Sequence, residues 1–141
     1  MSSFRNPLEG LDVYRDLEEQ LRKRGGPVLV GGLADAAKGQ FAEAVLRAER
    51  PLKLFVTYDE LRARELYEDL LSFGADALLY PAKDLLFFAA DVRSHELSAV
   101  RIDVRRRIAE GGSGFVVTTI DALMDKLEAP ERFLRRCLRI N

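Results

Sequence analysis

The sequence predicts an α/β domain with a mainly parallel sheet flanked by helices. Three observations predict it. Four short, mainly apolar runs occur at Val28–Val30, Leu52–Val56, Ala77–Tyr80 and Phe115–Thr118. Stretches with apolar residues at helical spacing separate them, and the joints are short and rich in glycine or proline. Alternation of this kind implies crossover connections and a sheet covered on both faces.

The elements follow in order. Leu8, Leu11, Tyr14, Leu17 and Leu21 recur at helical spacing, and Gly25-Gly26-Pro27 stops that helix near residue 24. Pro27-Val28-Leu29-Val30-Gly31 reads as the first strand, and Ala36 to Ala48 as a helix with Phe41, Ala44, Val45 and Ala48 on one face. Leu52 to Val56 is the second strand. Thr57 is placed to cap the next helix with Glu60 reaching back to it, and Leu61, Leu66, Tyr67, Leu70 and Leu71 line that helix. The third strand, Ala77–Tyr80, is ended by Pro81, and Gly111-Gly112-Ser113-Gly114 leads into the fourth. Between those two, Ser94 to Glu110 reads as a helix with Leu97, Val100, Val104 and Ile108 turned inward. The organisation expected is one α/β domain over 1–129, with 130–141 as the start of a connection to something further.

Composition narrows the function. The 141 residues carry 22 basic and 23 acidic side chains, net −1, which gives no overall field to hold a polyanion. The single cysteine, Cys137, has no thiol companion for a disulfide or a thiolate metal site, which fits a reducing cytoplasm. No run approaches the roughly 20 apolar residues of a membrane span, and the first residues hold no signal-like apolar stretch. A cytoplasmic protein without membrane attachment is expected.

One motif bears on chemistry. Gly32-Leu33-Ala34-Asp35-Ala36-Ala37-Lys38-Gly39 lies between a strand signal and a helix signal, where a Walker A phosphate loop would lie. The first glycine, Gly32, and Lys38 are in register with G-x-x-x-x-G-K-S/T. Ala37 stands at the second glycine, and Gly39 at the hydroxyl that would hold magnesium. A phosphate loop wraps backbone N–H groups around the anion through glycine-dependent turns, so the motif is degenerate at both points. Asp35 adds a negative charge inside the loop. The alternatives are a turn that merely contains a lysine and a residual anion site at Lys38.

The remaining constellations are thinner. His95-Glu96-Leu97-Ser98-Ala99 begins like H-E-x-x-H, but Ala99 replaces the second ligand and His95 is the only histidine, so no metal site is expected. Arg101, Arg105, Arg106 and Arg107 form one basic stripe with Asp103 in opposition, and Arg132, Arg135, Arg136 and Arg139 form another. Such faces are usually solvated. The sharper reading makes Arg101, Arg105, Arg106, Arg107, Arg132, Arg135 and Arg136 an interface to neighbouring domains, because arginine suits bidentate contacts. A DNA surface with Phe87 and Phe88 stacking on bases is the weaker one. No nucleophile stands with a base partner, so catalytic residues are not expected.

Three blocks carry a family resemblance. Gly32 to Gly39, Tyr80 to Arg93 and Val116 to Met124 together resemble the amino-terminal part of the transcription-repair coupling factors (Mfd), over a stretch from about Leu11 to the end. The resemblance implies a P-loop-NTPase-like fold similar to domain 1A of UvrB, with a degenerate Walker A. It implies a parent that displaces stalled RNA polymerase with an ATP- and magnesium-dependent motor on DNA and recruits UvrA through the domain following 130–141. This chain would be a non-catalytic scaffold with no cofactor of its own, since Ala37 and Gly39 depart from a working loop. Only a few residues separate Phe88 from Ser94, too few for the DNA-clamping hairpin of UvrB.

Overall fold

The computed structural model describes residues 12–23, 26–46, 51–83 and 91–137, with the backbone alone for 46 and 91–97. Leu8, Leu11, Phe87, Phe88 and Arg139 lie outside the described residues, as do the side chains of His95 and Leu97. The chain divides into two compact units, Met1–Glu49 and Arg50–Asn141.

In the first unit, helix α1 (Asp12–Lys23) and helix α2 (Lys38–Leu46) build a small core from Tyr14, Leu17 and Val45, with Leu21 and Phe41 packed against it. The Tyr14 hydroxyl donates to the Ala44 carbonyl at 3.1 Å. The predicted strand at Val28–Val30 does not form. Leu29 is 97% exposed, and the segment lines an open cleft of about 430 Å³ with Tyr14, Leu17 and Phe41. Apolarity is the strand signal, but a strand exists only through its ladder, and the four residues between the two glycine pairs include Pro27, which has no N–H to give one.

The second unit holds the sheet: β1 (Leu52–Thr57), β2 (Ala77–Tyr80) and β3 (Gly114–Thr119), in the order β1-β3-β2, all parallel. The sheet thus has three strands where four were expected. Pairing sets Leu54, Val116 and Leu78 on one face and Phe55, Val117 and Leu79 on the other. Helix α3 (Glu60–Ser72) buries Ala63, Leu66 and Leu70 as it packs on the sheet. On the Val116 face, Val104 of α4 (Asp91–Ala109) and Ala122 of α5 (Ile120–Leu123) join Tyr80, Ala82 and Val116 in one cluster. Helix α6 (Pro130–Arg136) packs on α4 and buries Phe133. Gly114 sits at φ 107°, and a side chain there would press into the Asp76 carbonyl, so β3 can begin only with glycine.

Two expectations need correction. Asp59, not Thr57, caps α3, accepting from the Arg62 N–H at 2.7 Å, while the Thr57 hydroxyl turns to the Asp59 carbonyl at 2.9 Å. The inward face of α4 is also rotated. Val100 and Ile108 are 43% and 38% exposed, Val104 is buried, and the residue buried beside it is Arg101. Residues 97, 101, 104 and 108 share a helical stripe, so a charged residue occupies a core position.

Candidate functional site

The degenerate loop lies within the first unit. Gly32 takes φ 78°, a conformation natural to glycine, and Asp35–Ala37 form a single 3-10 turn leading into α2. Ala34 offers no side-chain cap. The N–H of Ala37 donates to the Ala34 carbonyl at 2.9 Å and that of Lys38 to the Asp35 carbonyl. The Lys38 ammonium pairs with the Asp35 carboxylate at 2.7 Å, both half exposed. The groups that a phosphate cradle would turn on an anion are thus engaged by the loop itself: two N–H donors by backbone carbonyls, the lysine by its own carboxylate. Gly39 follows without a hydroxyl. No Walker A geometry forms at Gly32, Ala37, Lys38 and Gly39.

In the second unit the polar groups gather at the carboxyl ends of the strands. Glu60 Oε1 accepts from the Ala82 N–H at 2.7 Å and from the Thr119 hydroxyl at 3.4 Å, so one carboxylate from α3 joins the ends of β2 and β3. Thr119 in turn caps α5, accepting from the Ala122 N–H at 3.2 Å, and the buried Thr118 hydroxyl donates to the Tyr80 carbonyl at 2.9 Å. In open parallel sheets this edge is where ligands are usually held. Here its hydroxyls and the Glu60 carboxylate hold strands and helix starts together.

The first arginine stripe is largely engaged within the unit. Arg101 is buried; its guanidinium donates to the Pro81 carbonyl and the Asp125 carboxylate and stacks over the Tyr80 ring at 4.2 Å. Lys83 also reaches Asp125, at 3.2 Å. Arg105 lies over the Phe133 ring at 4.1 Å, and Arg107 meets Asp76 at 3.1 Å. Arg106 meets Asp103 at 2.7 Å and Glu110 at 3.8 Å; the Asp103 hydrogen bond, then the Glu110 charge, raise its pKa further. Carboxylates distant in sequence, Asp76 and Asp125, complete what sequence reading gave to Asp103 alone. In the second stripe Arg136 meets Glu128 at 3.4 Å, while Arg132 and Arg135 are exposed with no ionic partner among the described residues.

Sequence reasoning missed Glu60 as a strand tie and Asp125 as an arginine anchor. The stripe 97-101-104-108 was the available signal for Arg101. Among the described residues no group of three or more His, Cys, Asp or Glu is placed to hold a metal, and no helix is long and apolar enough to cross a membrane.

Such a unit is a small parallel α/β domain, compatible with a P-loop-like or UvrB-like architecture. Over 130 residues, 91% of its length, the chain is 29% identical to the transcription-repair-coupling factor of Bacillus subtilis (strain 168). It spans 10% of that relative. No family model and no solved structure matches. The similarity suggests a domain of a coupling-factor-like chain.

Proposed function

We propose that this chain is a non-catalytic scaffold domain of a cytoplasmic transcription-coupled nucleotide excision repair factor, one that displaces stalled RNA polymerase and recruits UvrA. Its part is to support the UvrA-recruiting module, while ATP, magnesium and DNA are handled by other domains of the parent. The observation that carries the reading is the similarity along 91% of the chain to a transcription-repair-coupling factor. The self-engaged loop supports the non-catalytic half: an ammonium paired with Asp35 and a helix start without a magnesium hydroxyl give a triphosphate little to hold.

The alternative, a nucleotide- or DNA-binding module, would rest on Lys38 or on the arginines, most of which already have partners. Calorimetry of the chain with magnesium-ATP tests it. No saturable heat is expected, and a dissociation constant in the low micromolar range, worth roughly 7–8 kcal/mol, would overturn the scaffold reading. The recruiting role is tested by UvrA capture with a longer chain in which Arg132 and Arg135 are replaced by alanine. Undiminished capture would remove those two residues from the interface.

A further inference from the structure

We infer that Arg101 and Arg105, one turn apart on α4, form a clasp that docks α6 and the segment before it, making α6 a strut that can leave α4 without unfolding the sheet. On the scaffold reading above, the clasp sets the direction in which a following module is presented.

The segment has little apolar cover. Ile120, Leu123, Met124 and Leu127 are 55%, 45%, 80% and 51% exposed, so between β3 and the end of α6 apolar burial falls mainly to Ala122 and Phe133. Burial of that extent does not fix a helix by itself. Arginine contacts take the place of that cover. The two ends of the Arg101 guanidinium reach Pro81 at the end of β2 and Asp125 at the start of the α5–α6 connection, so one side chain bridges the sheet and the connection. Its flat face rests on Tyr80, whose hydroxyl is buried with no hydrogen-bond partner among the described residues. The ring is therefore the useful part of Tyr80: it serves as a platform for the guanidinium. Arg105 repeats the device on Phe133, the buried residue of α6, and Glu128 with Arg136 closes the connection onto the helix. Lys83 adds a second ion pair to Asp125 and Ala122 is buried under the sheet, while the other attachments described for the segment and α6 each include an arginine or an aromatic ring.

Amide hydrogen exchange on the whole 141-residue chain tests this, comparing the amides of Phe133 in α6 and of Cys137, which caps it, with those of Val116 and Val117 in β3. Arg101→Leu and Arg105→Leu are each expected to speed α6 exchange about tenfold or more, the size of one lost charge-assisted contact, with β3 changed less than about twofold. Arg101→Lys keeps the charge but loses the fork and the flat face, so it is expected to release α6 as well. Tyr80→Phe should leave α6 protected and Tyr80→Leu should not. If Arg101→Leu fails to fold, Arg105→Leu and Phe133→Leu carry the same comparison. Equal acceleration of α6 and β3 would make Arg101 an ordinary part of one cooperative core and end the proposal, as would full rescue by lysine or no change in α6. None of these rates depends on UvrA, so failure here leaves the scaffold reading to its own test.

Discussion

Three helix starts in this protein meet one requirement in two ways. An α-helix opens with N–H groups that have no partner inside it. At the ends of β1 and β3 a side chain supplies the partner: Asp59 for Arg62 and Thr119 for Ala122. Before α2 the cap position is Ala34, which has no side-chain acceptor, and the backbone folds into a 3-10 turn that spends the N–H groups of Ala37 and Lys38 on carbonyls just behind them. The first kind of start is tied into the sheet, because Thr119 and α3's Glu60 also contact each other. The second kind is local and exposed. A glycine, a lysine and a helix in the right order therefore do not make a phosphate site. What makes one is where the N–H groups point and whether the lysine is free.

The tied junction can be broken with the largest effect at Glu60. Glu60→Ala leaves the N–H of buried Ala82 without its acceptor and is expected to cost about 2–3 kcal/mol, read as a lower urea midpoint with unchanged slope. Glu60→Gln keeps an acceptor oxygen and should lose about 1 kcal/mol or less. A loss under 0.5 kcal/mol for Glu60→Ala would show that the junction does not hold the sheet. Next in size is the cap. Asp59→Ala should cost about 1 kcal/mol, with Asp59→Ser recovering most of it in the same unfolding experiment. If Ser does no better than Ala, the cap hydrogen bond is not what Asp59 contributes.

The parts legible in the sequence are those set by local pattern. Three strand runs ended at turns near the expected positions, because short, mainly apolar runs bounded by proline or glycine admit few other readings. Val28–Val30 carried the same local signal but no ladder, which no local pattern reports. Thr57 was misread for a related reason: Thr57 and Asp59 both suit a cap, and the true start of α3 decides which one is used. The arginines show the limit most clearly. Arg101 and Arg107 looked like a solvated stripe because Asp125 and Asp76 are 24 and 31 residues away. Charge pairing across a fold is a tertiary fact. The periodicity of α4 held the one hint, since position 101 shares the stripe of Val104.

At the start of α2 the side chains contribute least to stability. Lys38→Ala removes an exposed ion pair and should change stability by less than about 0.5 kcal/mol, because solvent screens such a pair and ordering its side chains offsets much of the attraction. Its informative partner is Asp35→Asn, which leaves the turn in place and frees the ammonium. If the carboxylate is what occupies Lys38, inorganic phosphate at low salt should shift the backbone amides of Lys38 and Gly39 more in Asp35→Asn than in the unmodified chain. The gain should stay below about tenfold, as one unscreened charge at a surface provides. Magnesium-ATP should shift the same amides no more than phosphate does, since Gly39 supplies no hydroxyl to the metal and the N–H groups of Ala37 and Lys38 remain bonded to their own turn. Magnesium-dependent binding of ATP far tighter than that of phosphate would mean that the turn can reopen around a nucleotide, and the contrast between the two kinds of helix start would then be one of occupancy rather than of structure.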